Sequence, residues 1–455
     1  MAIIASFRGV RFNPEKINNL EEVVTPPYDV ISEQDGEAFL QKNQYNMIQL
    51  DLRNNSQTGE GSNERYAEAA RRFAAWQDEG ILIREDVPSI YLYYTEYKHP
   101  SGRRLIRKGL VSLVGLAEFS EGIVKPHEKT FDGVVAERLE LMETCQAQFS
   151  KIFSIYSDPT NSIISMLEEA REPDALCSTS DHMGNTHTLW RVSNQEVLSK
   201  VSEMFSEKSL YIADGHHRYT TALHCRRRAL EKNPDLPADS PYRHIMMYLC
   251  PIEDEGLSIL PTHRLVNFPE KISGDEFVAK MNSAFKVEEL TGGSREVLTG
   301  EVLARMNESS MNNPEQISLG LYLPGEDRCF LLTLLEDGFR GDQFSSNAEV
   351  LQQLDVVVLS DLVIKEILAL DSKRCIDEKI VSYSSDPDEA LDIAVKMSVA
   401  EEKSTPVLFL LNPTRAAQVM EVADQDNIMP HKSTYFYPKI VTGLLINKLG
   451  NGEKV

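Results

Sequence analysis

Apolar residues recur along this chain at two different periods, and the alternation between them lays out its elements. In ERYAEAARRFAAWQDEG they fall three and four apart, which predicts a helix. IYLYYTEYKHPSGRRLIRKGLVSLVGL reads as two long strands turning at His99-Pro100-Ser101-Gly102. A helix is predicted at VVAERLELMETCQA. A small hairpin follows at DHMGNTHTLWRV, turning at Gly184-Asn185 and leaving His182 and His187 on the surface. Leu210, Tyr211 and Ile212 end a strand, Asp214-Gly215 makes a tight turn, and a helix begins at once. There Ala222, Leu223, Ala229 and Leu230 recur at helical spacing, with Arg226, Arg227 and Arg228 largely on the wet side. HIMMYLCPI is a further buried strand, and GLSILPTHRLV gives another apolar run that stops at a Thr-His-Arg cluster. Residues 266 to 315 read as helices and loops without a dense polar cluster. ISLGLYLPGEDRCFLLTL is a hairpin with a Pro-Gly turn, VLQQLDVVVLSDLVIKEIL and PDEALDIAVKM are helical, and TPVLFLLNP is a strand. Near the start, VVTPPYDVIS is extended, because consecutive prolines restrict themselves and the residues before them. Strands and helices mix throughout, so the expected class is α/β or α+β with a mixed sheet core. A compositional shift divides the chain into residues 1–265 and a C-terminal α/β region, 266–455.

Composition narrows the function classes. The 455 residues carry 47 Lys and Arg against 70 Asp and Glu, a net charge of −23. An acidic surface of that size repels nucleic acid and anionic membrane unless a local basic patch overrides it. No run approaches the ~20 apolar residues of a membrane span. MAIIASFRGVRF lacks a basic residue before its apolar run and a leader cleavage pattern, so a cytoplasmic location is expected. The six cysteines are scattered with no C-x-x-C pair, which argues against a disulfide framework, a zinc knuckle or a redox motif. There is no G-x-G-x-x-G, G-x-S-x-G or EF-hand loop.

Four polar clusters could carry chemistry. Asp214-Gly215-His216-His217-Arg218 stands on a strand–turn–helix corner. The first turn of a helix presents unpaired N–H groups and a partial positive charge, which suits an anion. Arg218 can clamp phosphate or carboxylate, a histidine can move a proton, and Asp214 can hold Mg²⁺ or take a proton. The plain alternative is a capped turn with surface histidines. In Lys125-Pro126-His127-Glu128-Lys129-Thr130, just before the helix bearing Arg138, Glu128 is the best candidate general base. A loop capped by Thr130 or Asp132 would explain only part of that run. Thr262, His263 and Arg264 end an apolar run, where α/β sheets present ligand sites, although a salt bridge from Arg264 would also account for them. His431-Lys432-Ser433-Thr434 precedes the aromatic run Tyr435-Phe436-Tyr437, which Lys432 and Lys439 bracket. The glycines of a P-loop are missing.

TPPYDVI, PHEKT, ADGHHRYTTAL, LPTHR and MPHKSTYFYPK, in that order, resemble the hallmarks of the bacterial domain-of-unknown-function family 1015 from Phe7 to about Leu449. The corner also resembles the phosphate-binding turn of the ParB, sulfiredoxin and free-serine-kinase superfamily. The chain has histidine where sulfiredoxin places its cysteine, and no ParB-type helix-turn-helix follows. This likeness implies a ParB-like region over residues 1–265. Gly215, His216, His217 and Arg218 would hold a nucleotide phosphate and Asp214 would serve metal or proton transfer. His127, Lys129, Thr130, Thr262, His263, Arg264, Lys432, Ser433 and Thr434 would add phosphate or substrate contacts, with MPHKSTYFYPK reaching the same site. The leading expectation is a phosphotransferase using ATP or ADP with Mg²⁺ on a small hydroxylated metabolite such as free serine. The alternatives are a ParB-like nucleotide switch or DNA partner, a hydrolase on the same corner, and a metal site built from His127, Glu128, His216 and His217.

Overall fold

The structure is a computed structural model and describes residues 1–51, 62–400, 403–450, 453 and 455. It divides into two compact units. The first comprises Met1–Pro126, Thr130–Ser258 and Phe436–Val455; the second comprises His127–Lys129 and Ile259–Tyr435.

The first unit is built on a nine-stranded mixed sheet of β1 (Ile4–Ala5), β2 (Ile90–Lys98), β3 (Arg104–Gly115), β4 (Val124–Lys125), β5 (Ile152–Tyr156), β6 (Cys177–Ser180), β7 (Thr186–Val192), β8 (Leu210–Asp214) and β9 (His244–Pro251). The order is β4-β8-β5-β9-β3-β2-β7-β6, with β1 beside β3. β8 runs parallel to β4 and antiparallel to β5. Its helices are α1 (Glu33–Lys42), α2 (Ser62–Asp78), α3 (Asp132–Cys145), α4 (Ser162–Ala170), α5 (Gln195–Phe205) and α6 (His216–Lys232). Strand side chains alternate between faces, and the two faces of this sheet differ in chemistry. Ile90, Leu92, Leu110, Val114, Ile212 and Met247 pack in one apolar cluster with Ile164, Leu167, Val201, Phe205, Ala222 and Leu223 of α4, α5 and α6. The alternate positions Tyr93, Thr95, Arg107, Phe153 and Tyr248 are also buried but polar or aromatic.

The second unit has a six-stranded sheet: β10 (His263–Phe268), β11 (Phe285–Leu290), β12 (Ser318–Leu323), β13 (Arg328–Leu334), β14 (Val381–Ser384) and β15 (Thr405–Leu410), in the order β11-β13-β12-β15-β10-β14. α7 (Gly274–Met281), α8 (Arg295–Asn312) and α9 (Pro387–Ala400) accompany it. The chain is thus a mixed α/β protein.

Several local expectations need correction. Residues 266–315 contain the strand β11, whose FKVEEL is buried only at its two ends and in part at Val287, and pairs along its length with β13. Alternation that weak is masked by the glutamates. The helical reading of VLQQLDVVVLSDLVIKEIL holds, but as short turns leading into a π-helix over Val358–Ile367. Tyr28–Val30 closes a 3₁₀ turn inside the expected extended segment. The 181–187 hairpin forms, but His187 is fully buried. Its Nδ1 lies 2.8 Å from the Tyr93 hydroxyl and its Nε2 3.1 Å from Asp181 Oδ2. Its strand position faces the polar side of the sheet, opposite Thr95. Of the cysteines, Cys177 and Cys375 are half-buried and the rest are buried; all six are thiols. Among the described residues no helix is long and apolar enough to cross a membrane.

Candidate functional site

In the first unit the corner forms as a strand, a turn and a long helix. β8 is buried up to Ala213, and its register against β5 shifts between Ile212 and Asp214. Such an irregularity re-aims a side chain at a strand end. Gly215 follows at φ +100°, a conformation open to glycine, and a Cβ there would stand 3.0 Å from the Arg218 guanidinium carbon. α6 then starts at His216 with no side-chain cap.

Arg218 is not presented to solvent. Its Nη2 donates to Asp214 Oδ2 and its Nη1 to the Lys151 carbonyl. Lys439 Nζ donates to the other Asp214 oxygen. Burial alone would push the Asp214 carboxyl up; Lys439 and Arg218 overcome it and hold the group well below the ordinary carboxylate range. His216 is buried. His217 accepts a hydrogen bond at Nε2 from the Phe131 N–H at 3.0 Å, and its ring stacks on Phe131. Burial pushes the His217 pKa down, which agrees with a neutral, accepting ring.

The ground beneath the corner is also charged. Arg138 donates to Asp51 at 3.2 Å and lies 4.0 Å over the Tyr28 ring of the TPPYDV segment. A water-sized cleft of about 30 Å³ is lined by Asp51, Arg138, Ser150, Arg218 and Thr221. Lys151 is buried, donates at 3.1 Å to the Val441 carbonyl, and is pushed by burial down to about 7. Sequence reasoning passed over Lys151, Asp51 and Tyr28 as site residues, because a lone charge or tyrosine in an apolar stretch carries no signal. Lys439 was visible as one bracket of the aromatic run. A separate cavity of about 460 Å³ in this unit, lined by residues such as Arg11, Leu20, Cys177 and Ser180, holds none of the expected site residues.

The second unit gathers most of the other three clusters. His127 Nε2 lies 3.0 Å from Thr434 Oγ1, and the Glu128 carboxylate accepts the Lys432 N–H at 2.9 Å. Lys432 adopts φ +55°. Its carbonyl accepts from Arg264 Nη2 at 3.0 Å, while Arg264 Nη1 donates to the Thr262 carbonyl. The buried Arg264 guanidinium sits 4.7 Å over the Tyr383 ring, and burial pushes its pKa down to about 10. His263 is fully buried and accepts the Leu411 N–H at Nδ1. Ser433 is buried and donates to the Pro430 carbonyl at 2.6 Å. Lys129 is exposed, and Thr130 belongs to the first unit.

Among the described residues no group of three or more His, Cys, Asp and Glu is gathered to hold a metal ion, so the four-residue metal site does not form. Asp214 is a poor ligand for Mg²⁺, since both oxygens are already engaged by cations.

These features define a mixed α/β protein with an uncapped helix start beside a doubly neutralised carboxylate. The chain matches the family described as "Protein of unknown function (DUF1015)" over residues 4–357, and it belongs to that family. No curated protein matches it. Solved structures share a distant likeness. A free serine kinase in complex with AMP has 12% identity and a TM-score of 0.35, covering 73% of this chain and 90% of that one. A point variant of free serine kinase in complex with ADP has 11% identity, a TM-score of 0.35 and the same coverage. SbnI with a C-terminal truncation, from Staphylococcus aureus, has 9% identity and a TM-score of 0.31, covering 74% of this chain and 86% of that one.

Proposed function

We propose that the Gly215–Arg218 helix start binds the phosphates of a nucleotide, and that the protein transfers a phosphoryl group to the hydroxyl of a small metabolite, with free serine as the first acceptor to try. The observation that carries this reading is the charge balance at the corner. One carboxylate, Asp214, faces two cations, Arg218 and Lys439, beside an uncapped helix start. Two cations therefore converge on one carboxylate where the helix dipole already favours an anion. In the transfer, the acceptor oxygen bonds to the terminal phosphorus and the bond to the leaving nucleotide oxygen breaks with its electron pair. The acceptor proton goes to a carboxylate. Asp214, held strongly anionic, is a weak proton acceptor and acts as a charge holder.

The test incubates the protein with ATP or ADP, divalent metal and a panel of hydroxylated metabolites, and follows phosphorylated product. Arg218→Ala is expected to weaken nucleotide affinity about 10- to 100-fold. Undiminished affinity in that variant removes Arg218 from the site. Nucleotide binding without product from any acceptor favours a nucleotide-dependent switch, and no nucleotide binding at all removes the reading.

A further inference from the structure

The C-terminal segment returns to the first unit as a strap over the polar face of its sheet. Phe436 packs edge-on against Phe153 with ring centroids 5.5 Å apart, and Tyr437 against Tyr97 at the same separation. Thr442 pairs with Thr25 through both backbone hydrogen bonds, and Ile446 pairs with Val10. The strap is pinned most closely around Lys439. Two residues before it, the Tyr437 carbonyl accepts from Arg107 Nη1 at 3.0 Å; two residues after it, the Val441 carbonyl accepts from Lys151 Nζ at 3.1 Å. Both donors are buried, and Nε and Nη2 of Arg107 have no hydrogen-bond partner, the guanidinium lying 4.7 Å over the Phe153 ring.

Burying a cation is costly, and hydrogen bonds to carbonyls only partly offset it. An apolar strap could be held by packing and backbone pairing alone, as it is at Thr442 and Ile446. Two buried basic side chains at symmetric positions instead fix the register of one side chain. A slip of one residue would turn Lys439 away from Asp214. Nor does Asp214 need Lys439 as a counter-charge, because Arg218 already supplies one.

We propose that Lys439 is a phosphate-binding residue of the corner, a cation that the strap delivers to be shared between Asp214 and the bound phosphate. This rests on the phosphate reading of the corner. An entering phosphate draws the ammonium partly away from Asp214, while Arg218 keeps the carboxylate paired. The ligand class is therefore a di- or triphosphate presenting an anionic end to the start of α6, and the corner stays charge-paired until that ligand arrives.

The experiment measures binding of ADP and of inorganic pyrophosphate by calorimetry to the full chain, the wild type beside Lys439→Met, Lys439→Gln and Lys439→Arg, with a thermal melt of each. Loss of one charge-assisted contact is expected to weaken both ligands about 10- to 100-fold in the Met and Gln variants. The Arg variant should recover most of the affinity, and the melts should show every variant folded at the binding temperature. Gln keeps a hydrogen bond to Asp214 and so covers the case in which Met does not fold. If the wild type binds neither ligand, the phosphate reading falls and this role with it. If the wild type binds and the folded neutral variants bind equally well, the corner stands and Lys439 is only a strap fastener. A lowered melting temperature with unchanged affinity likewise overturns the role.

Discussion

At the scale of single residues, the side chains singled out for ligand contact are mostly turned inward. Arg218, Arg264, His263 and Ser433 are all buried and engaged with backbone or side-chain partners. Residue type marks these positions as candidates for chemistry, but not which way each points, because orientation depends on what packs above. His263 yields a pH prediction. Burial, reinforced by Arg264, pushes its pKa from 6.5 down to about 4. Above pH 6.5 the ring is neutral in both folded and unfolded chains, and its contribution is fully present. As pH falls toward 4 the unfolded chain takes the proton and the folded one does not, so stability is lost at about 1.4 kcal/mol per pH unit, some ~3 kcal/mol in all. Urea denaturation across that window, following the second unit, should show the loss, and His263→Gln should flatten it. A curve of the same steepness in the variant would assign the titration elsewhere. Asp214 gives a second case. Asp214→Asn strands Arg218 and Lys439 in the interior and should cost about 3–5 kcal/mol at pH 7 by urea unfolding. A loss below ~1 kcal/mol would mean that the two cations reach water on their own.

At the scale of elements, the corner was the most legible part of the chain. An apolar run, Asp-Gly and then a helical period left few alternatives, and β8, Gly215 and α6 follow that plan. Its dependence on one glycine is testable. Gly215→Ala forces a Cβ into a left-handed backbone conformation and against the Arg218 guanidinium, at φ +100° and 3.0 Å. It should destabilise the protein by about 1–3 kcal/mol and, on the proposed phosphate reading of the corner, weaken nucleotide binding, read by urea unfolding and calorimetry. Unchanged values for both would show that the turn relaxes freely. The hairpins were equally plain, because turn residues and strand length are local. The failures came where pattern was weak or ambiguous. The glutamates of β11 hid a strand. The turn marks the 181–187 hairpin but not which face of β7 turns inward, and that face buries His187.

At the scale of the whole molecule, the matched family segment ends at residue 357, while the first unit reclaims Phe436–Val455. The strap covers the polar sheet face and pairs with Thr25, Val10 and the Ala147–Gln148 strand. Ending the chain after Tyr435 removes those pairings and exposes Arg107, Lys151 and Phe153 together. The truncated protein is expected to lose near-ultraviolet circular dichroism and hydrogen-exchange protection in the first unit, while the strands of the second unit stay protected. Full protection in both units would show that the strap is dispensable for folding.

By itself the sequence determined the mixed α/β class, the hairpins, the helix start at Asp-Gly, and the family through five ordered motifs. All of these rest on interactions between residues near one another in the chain, where period and turn chemistry speak directly. Only the tertiary structure decided that Lys439 meets Asp214, that Arg264 and Glu128 hold Lys432 from two sides, and that Lys151 is buried against the strap. Those partners are separated by many residues, and a charge buried far from its partner in sequence leaves no periodic trace. Its cost and its compensation exist only once the chain has closed around it.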